Sequence, residues 1–354
     1  DLMQESDRLE KMDLNPVYTY MSSDAFQIGS LFGGNNQTDM AIRPTWNLQS
    51  GSIRNLYSGG NRGAMTALEG LLLEIDPAPM NTSSPYVYDA AKNDSTLRVD
   101  NIYGGCRMGN VRPEKDGVYT PCMNLTRTNY PDAGLTKDYD FPNELSARVL
   151  VCGGDVNNVY GGNDVTGTVY GGNAIGIYTS IRGDVYGGGN GSYPYLDRVA
   201  MKGNRTYGDY YLGDMEGYET VTDALNAYRP NAEQVSIRLR GVDSSHPTII
   251  HGSVFVGGNC ATLVAQKKEP LMELKVGSYV IADKVFMGNN GKNMIDPDIL
   301  ALYADDDFSS LRLTDPSVFA VYMEGVCMKQ KADIVFEADY VDYSCYLGSF
   351  YCGG

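Results

Sequence analysis

Histidine is almost missing from this chain: His246 and His251 are the only two in 354 residues. Neither has a serine or cysteine partner at a spacing diagnostic of nucleophilic catalysis, so each is expected to be accommodated rather than used as a base. Basic residues are scarce as well, with 28 Lys plus Arg against 44 Asp plus Glu and a formal net charge of -16. Binding phosphates takes clustered Lys and Arg, which excludes nucleic acid and anionic membrane surfaces as partners. A surface of that sign stays soluble and draws divalent cations. No stretch of about 18 apolar residues occurs, so no membrane-spanning helix is expected. No glycine-rich segment is followed by Lys-Ser or Lys-Thr, which excludes a phosphate-binding loop. The 7 cysteines are odd in number, and their spacing fits neither zinc ligation nor a small disulfide scaffold. Cys152 and Cys352 both stand just before a Gly-Gly pair and are expected to be buried free thiols, with few or no disulfides in the chain. No secretory leader is visible, but the chain opens at Asp1 and stops inside a Gly-Gly motif. Both ends are therefore expected to be trimmed, and the missing leader excludes nothing.

Glycine is the opposite case, with 41 residues. Gly-Gly recurs after an apolar or aromatic residue and is usually left through Asn. It reads Phe32-Gly33-Gly34-Asn35, Tyr57-Ser58-Gly59-Gly60-Asn61, Tyr103-Gly104-Gly105-Cys106 and Cys152-Gly153-Gly154-Asp155. It returns as Tyr160-Gly161-Gly162-Asn163, Tyr170-Gly171-Gly172-Asn173, Tyr186-Gly187-Gly188-Gly189-Asn190 and Phe255-Val256-Gly257-Gly258-Asn259, then as Phe286-Met287-Gly288-Asn289 and Tyr351-Cys352-Gly353-Gly354. A repeated strand-then-turn unit buries its apolar face only against its neighbours, which is the signature of a solenoid.

Each motif has a mechanical reading. Runs such as Ile53–Tyr57, Val149–Val151 and Ser253–Val256 suit a pleated, half-buried surface. The glycines that follow supply positive φ for a sharp corner, and Asn tolerates the same region. The steps from Gly153 to Gly161, Gly171 and Gly187 are too short for whole turns of a parallel β-helix, which take roughly 20 residues or more. They fit successive sides of one coil, each a strand of about 5 residues and a bend. The expected fold is therefore all-β: one right-handed parallel β-helix over residues 1–354, three-sided, with a two-sided β-roll as the alternative. Trp46-Asn47-Leu48 followed by Ile53–Tyr57, and Met272–Val276 followed by Tyr279–Ile281, read as two consecutive sides written twice. The aromatic residues Tyr57, Tyr103, Tyr160, Tyr170, Tyr186, Phe255 and Phe286 are expected to face mainly inward and stack. The corner asparagines are expected to form a hydrogen-bonded ladder. Residues 1–25 form a lead-in, and long inserts are expected at about 62–95, 107–147, 191–247 and 289–332. Short helices are expected within them at Asp296–Tyr303 and, more weakly patterned, at Thr220–Tyr228.

Candidate chemistry is sparse, and each candidate has a plainer reading. Glu337 and Asp339 lie two apart on a strand, so they face the same way at about 6.6 Å. Glycoside hydrolysis needs two carboxyl groups roughly 5 to 9.5 Å apart; a solvated outer strand face explains them as well. Asp305, Asp306 and Asp307 offer hard oxygen ligands for calcium, or simply a charged loop. Tyr207, Tyr210 and Tyr211 would stack on sugar rings or a protein partner from an insert, although a chain with 27 Tyr exposes some in any case. Arg238 and Arg240 on one face of Val235–Arg240 suit an acidic ligand, or salt bridges within this acidic chain. Sequons such as Asn36-Gln37-Thr38 and Asn190-Gly191-Ser192 read as chance matches.

The segments Gly183-Asp184-Val185-Tyr186-Gly187-Gly188-Gly189-Asn190 and Gly167-Thr168-Val169-Tyr170-Gly171-Gly172-Asn173, with Ile53 to Met65, carry a resemblance. They resemble the repeat of large secreted or lipid-anchored bacterial surface proteins, which are right-handed parallel β-helices of adhesin-like or unknown function. The resemblance covers most of the chain outside the inserts and supplies no catalytic pattern. It implies an extracellular or cell-surface location, with a lipid anchor compatible. The expected role is non-catalytic binding of a glycan or protein partner through the inserts. The alternative is a polysaccharide hydrolase or lyase working on an outer groove. One solenoid hosts many activities, so the fold alone does not choose between them.

Overall fold

A computed structural model describes residues 18–21, 26–77, 97–120, 145–192, 229–263, 271–291, 331–336 and 345–352. Among these residues there is no helix, and almost every strand pairing is parallel. In chain order the strands begin β1 (Tyr18–Met21), β2 (Gln27–Phe32), β3 (Thr45–Leu48), β4 (Gly51–Tyr57), β5 (Leu71–Ile75) and β6 (Leu97–Tyr103). A short pair follows, β7 (Glu114–Lys115) and β8 (Val118–Tyr119). Then come β9 (Ala147–Val151), β10 (Asp155–Tyr160), β11 (Thr168–Val169), β12 (Asn173–Ile177), β13 (Val185–Tyr186) and β14 (Asn231–Ala232). The chain continues with β15 (Val235–Leu239), β16 (Thr248–Phe255), β17 (Thr262–Leu263), β18 (Leu271–Val276), β19 (Val280–Phe286), β20 (Lys331–Phe336) and β21 (Tyr346–Tyr351).

Three parallel sheets collect most of these strands. The first has eight, in the order β2-β4-β6-β10-β13-β16-β19-β21. The second has six, β5-β9-β12-β15-β18-β20, and the third has three, β11-β14-β17. Single bridges from Met40 to Met65, Met65 to Val111 and Val111 to Val169 continue the third sheet toward the N-terminal side. From β9 to β17 the chain visits second, first and third sheet in strict rotation. The one antiparallel strand pair among the described residues, β7 with β8, is closed by Asp116 (φ 53°) and Gly117 (φ 75°). Asp-Gly with both residues at positive φ is the turn that matches the strand twist of a hairpin.

Period-two alternation explains the core. On the first sheet Ile53 lies in register with Val99, and Leu56 with Ile102; Val156 and Val159 continue both rows. On the second sheet Leu73, Val149, Ile175, Ile237 and Leu274 follow one another in register. Residues of both sheets join a single apolar cluster whose members are almost fully buried. Burying each such side chain is worth about 1.5–3 kcal/mol, so the two inner faces hold the two sheets together.

The structure alters several expectations. Strands occupy parts of the segments expected to be inserts: β5 lies within 62–95, and β14 and β15 within 191–247. Those strands carry no Gly-Gly, so the turn spacing passes over them. Within the expected lead-in, β1 already pairs in parallel with β3. The helices expected at 296–303 and 220–228 lie outside the described residues. Cys152 is buried as expected, but Cys352 is exposed, because it follows the outermost strand of the eight-stranded sheet. Cys106 and Cys260 are also buried, and Cys345 is exposed.

The reason for glycine also divides in two. Gly154, Gly171 and Gly172 take φ of 81°, 77° and 98°, as a corner built on positive φ requires. At the ends of the first-sheet strands the doublets do not take positive φ, and close stacking explains them instead. A Cβ on Gly104 would collide with the carbonyl oxygen of Gly161, and one on Gly161 with that of Gly187. The same amides tie the corners together, Gly104 N–H donating to Tyr160 O at 2.8 Å and Gly161 N–H to Tyr186 O at 2.9 Å.

Two measurements check this account. Gly161→Ala should lose about 1–3 kcal/mol in chemical denaturation through overpacking, and Gly171→Ala about 1–2 kcal/mol through its positive φ. Gly29→Ala is the control, since no atom stands within 4 Å of its would-be Cβ; its midpoint should stay put or rise. In native protein an aromatic disulfide reagent should label Cys345 and Cys352 quickly. Cys106 should stay silent until unfolding, because burial pushes its thiol up to about 12. Fast labelling of Cys106 would contradict its packing.

Candidate functional site

The outer side of the eight-stranded sheet carries the molecule's most regular side-chain arrangement. In Leu56-Tyr57, Ile102-Tyr103, Val159-Tyr160, Val185-Tyr186, Val254-Phe255 and Val285-Phe286 the first residue belongs to the core. Alternation then turns the aromatic residue to the opposite face. Tyr57, Tyr103, Tyr160 and Tyr186 accordingly form a cluster of their own, with Phe32 and Phe255 packed against it. This corrects the expectation that the aromatics face inward. They are nonetheless buried, Tyr57 and Tyr186 to 2% and 4% exposure, because each ring covers the next. The stack runs Phe32, Tyr57, Tyr103, Tyr160, Tyr186, Phe255, Phe286, Tyr351, with centroids 4.5 to 5.1 Å apart and planes within 9° of parallel. Parallel strands in register repeat about every 4.8 Å, which sets that spacing.

Tyr170 is not part of the ladder. It follows β11 of the third sheet and sits 5.8 Å from Tyr119, with the Arg112 guanidinium 5.5 Å from its ring centre. The Tyr170-Gly171-Gly172 copy of the motif marks a different corner from Tyr160-Gly161-Gly162.

Two polar rows flank the aromatic one. Two residues before the rings, Asn101 Nδ2 donates to Asn55 Oδ1 and Asn158 Nδ2 to Asn101 Oδ1, each at 3.0 Å. The backbone N–H of Asp184 then donates to Asn158 Oδ1 at 2.9 Å. Beyond the glycine corner runs an asparagine ladder that Asn61, Asn190 and Asn259 join as expected. Asn36 and Asn290 stand in it in place of Asn35 and Asn289, and Asn163 and Asn289 bond to backbone instead. Asn61 Nδ2 donates to Asn36 Oδ1 at 2.7 Å, Asn259 Nδ2 to Asn190 Oδ1 at 3.0 Å, and Asn290 Nδ2 to Asn259 Oδ1 at 3.0 Å. Two charged residues interrupt it. Arg107 Nη1 donates to Asn61 Oδ1 at 3.2 Å, and Asp164 Oδ1 accepts from Asn190 Nδ2 at 2.9 Å. Because Asn190 is buried in this ladder, its sequon has no outward side chain to carry a glycan.

Between the rows lies a groove of about 380 Å³. Ser30 and Asn55 form one bank, Phe32, Tyr57 and Tyr103 the floor, and Asn61, Arg107 and Asp164 the other bank. Tyr57 spans the floor, its hydroxyl donating to Asp164 Oδ2 at 2.8 Å. Tyr186 makes the equivalent bond to Asp184 at 2.9 Å. Burial first, and then the negative charge of Asp164, holds the Tyr57 phenol well above its ordinary range. Burial and the Asp184 charge do the same for Tyr186, and burial with both carboxylates for Tyr160. These phenols are neutral donors at any physiological pH.

The residues singled out by sequence fall elsewhere. Arg238 is on β15 of the second sheet, in register with Lys275, and Arg240 follows that strand. Neither shares a sheet with the groove. Glu337, Asp339, Tyr207, Tyr210, Tyr211, Asp305, Asp306 and Asp307 lie outside the described residues. His246 is held in a tight turn, its Nδ1 2.9 Å from Asp243 Oδ1, and His251 is exposed on β16. What sequence reasoning missed is the groove itself. The signal was present: an apolar residue directly before each aromatic means only one of the two can enter the core.

Raised phenol values tie stability to pH with a definite sign. Stability from the neutral, buried phenols is complete below the unfolded tyrosine value of about 10 and is lost as pH rises toward the higher folded values. In an alkaline titration followed by phenolate absorbance, several tyrosines should therefore ionise only together with unfolding. Tyr160→Phe should reduce the number in that late phase. A single phase near pH 10 with the fold intact would contradict the buried ladder. No family model, curated protein or solved structure matches this chain, so the groove is interpreted through its own residues.

Proposed function

We propose that this chain is a non-catalytic protein of the cell surface or extracellular space that holds an extended glycan along the outer face of its eight-stranded sheet. In this reading the fold is a right-handed, three-sided parallel β-helix. The strict rotation through three parallel sheets supports three sides rather than two, and right-handed crossing is the rule for parallel connections. The resemblance of its Val-Tyr-Gly-Gly segments to the repeat of bacterial surface proteins is what supports the location.

The observation that carries the glycan reading is the pair of groove-lining amides on either side of Tyr57, Asn55 and Asn61, each of which belongs to a hydrogen-bonded row that continues onto neighbouring strands. An amide offers two N–H donors and two lone pairs. Asn61 spends one N–H on Asn36 and one lone pair on Arg107, and the remaining pair suits a sugar hydroxyl, which also both donates and accepts. Lining residues come from successive strands of the sheet, so the groove runs across the strands, along the stacking direction. A polymer fits such a track better than a compact ligand. The binding surface is thus the sheet itself rather than the inserts. The groove's one carboxylate, Asp164, has both oxygens engaged by Tyr57 and Asn190. That leaves no acid–base carboxyl pair there of the kind glycoside hydrolysis uses.

Glycan arrays followed by affinity electrophoresis test this reading. Retention should rise with oligosaccharide length until the groove is spanned. Asn61→Ala should weaken it about fivefold, the loss of roughly one hydrogen bond of about 1 kcal/mol, with the circular dichroism unchanged. No retained glycan, or retention indifferent to both Asn55→Leu and Asn61→Ala, would sink the proposal.

A further inference from the structure

The corner row is amide at Asn36, Asn61, Asn190, Asn259 and Asn290 and charged at two places, Arg107 and Asp164. Those two charges differ in what they have left to offer. Asp164 is 2% exposed, and each carboxylate oxygen already accepts a hydrogen bond. Arg107 is only half-buried and lines the groove, with Nη1 donating to Asn61 Oδ1 and contacting Met108 Sδ. A guanidinium carries five N–H donors in a rigid fork and no acceptor. Sugar hydroxyls suit the amides; the group that suits the fork is a carboxylate, met by two parallel N–H···O bonds.

Resting on the glycan reading above, we infer that Arg107 anchors one carboxylate-bearing sugar residue within an otherwise neutral stretch of polymer. The neutral flanks follow from the neighbours. Asp164 holds a buried negative charge one bank position away, strong enough to act on Tyr57 and Tyr160, and it repels every anion in the groove, so only one held directly on the Arg107 fork is compensated. The remaining bank and floor residues are uncharged. The chain as a whole is at -16, so a uniformly anionic polymer is repelled at long range. A single anion in direct contact with Arg107 is favoured inside the screening length of about 8 Å. Arg107 is therefore a specificity-determining residue, and the amide rows supply binding that does not depend on charge.

Oligogalacturonates long enough to span the groove provide the probe in three forms: fully methyl-esterified, sparsely de-esterified and fully de-esterified. The sparsely acidic form should bind the intact chain about tenfold or more tighter than the neutral ester, as a charge-assisted hydrogen-bond pair implies, and tighter than the fully acidic form. Arg107→Gln should bring the sparse form down to the level of the ester while leaving the ester unchanged. Arg107→Lys keeps the charge without the fork and should recover part of the preference. Arg182→Gln changes a cation of the same sheet that is paired with Asp155 outside the groove, and should have no effect. Equal binding of ester and sparse acid, or a preference that survives Arg107→Gln, overturns this inference and leaves the glycan reading standing. Failure of all three forms to bind also overturns this inference, while the glycan reading falls only if the array retains no glycan.

Discussion

Every row of this molecule must tolerate its own copy about 4.8 Å away. That constraint comes from parallel strands stacked in register, where a residue faces the equivalent residue of the neighbouring strand rather than a complementary one. Few side chains accept such company. Branched aliphatics do, and they fill the inner faces, as in Leu73, Val149, Ile175, Ile237 and Leu274. Planar rings do when they lie parallel. Carboxamides do, because each donates up or down the row to the next. Isolated like charges do not, and the first sheet shows the remedy at the start of its central strand β10: Asp155 stands between Arg98 and Arg182.

The aromatic ladder is the outer counterpart of the core. Its four central tyrosines are buried within the stack while Tyr351 at its end is exposed, and stacked pairs of this kind contribute about 0.5–1.5 kcal/mol each beyond area burial. Hydroxyls at the ring edges are then met by Asp164, Asp184 and Asn290. Glycine corners make this possible, since Gly104, Gly161 and Gly187 let successive turns approach within backbone hydrogen-bonding distance. Core, ladder and corner are three consequences of one spacing.

Much of this was legible before any coordinate. Recurrent Gly-Gly after an apolar or aromatic residue announced parallel strands and tight corners, and the asparagines after it announced their ladder. The direction of the aromatics was misread because the motif was treated as ending in one apolar residue. Taken as Leu-Tyr, Ile-Tyr and Val-Tyr pairs, period two already sends one member out. Tyr170 was grouped with the ladder because its motif looks the same, although Thr168-Val169 belongs to another sheet; only pairing partners tell the corners apart. β5 and β15 were passed over because Leu71–Ile75 and Val235–Leu239 lack glycine doublets. The groove was harder to see, because its banks are separated by tens of residues and become neighbours only once register is known.

Register also underlies the proposal that this site holds a ligand rather than transforms one. Catalytic groups are poised by an unmet need: a carboxyl forced to keep its proton, or a base with a free lone pair beside a nucleophile. Here the perturbed groups are satisfied. Tyr57 is neutral and donates to Asp164, Asp164 accepts twice, and Asn190 is tied on both sides. Such a network holds its donors and acceptors at fixed intervals without waiting for a ligand to order them, which lowers the cost of binding an extended chain. Arg107 departs from the pattern because no row of like neighbours surrounds it. In a structure built on repetition, selectivity has to enter where the repeat is broken, and Arg107 with Asp164 is where the corner ladder breaks.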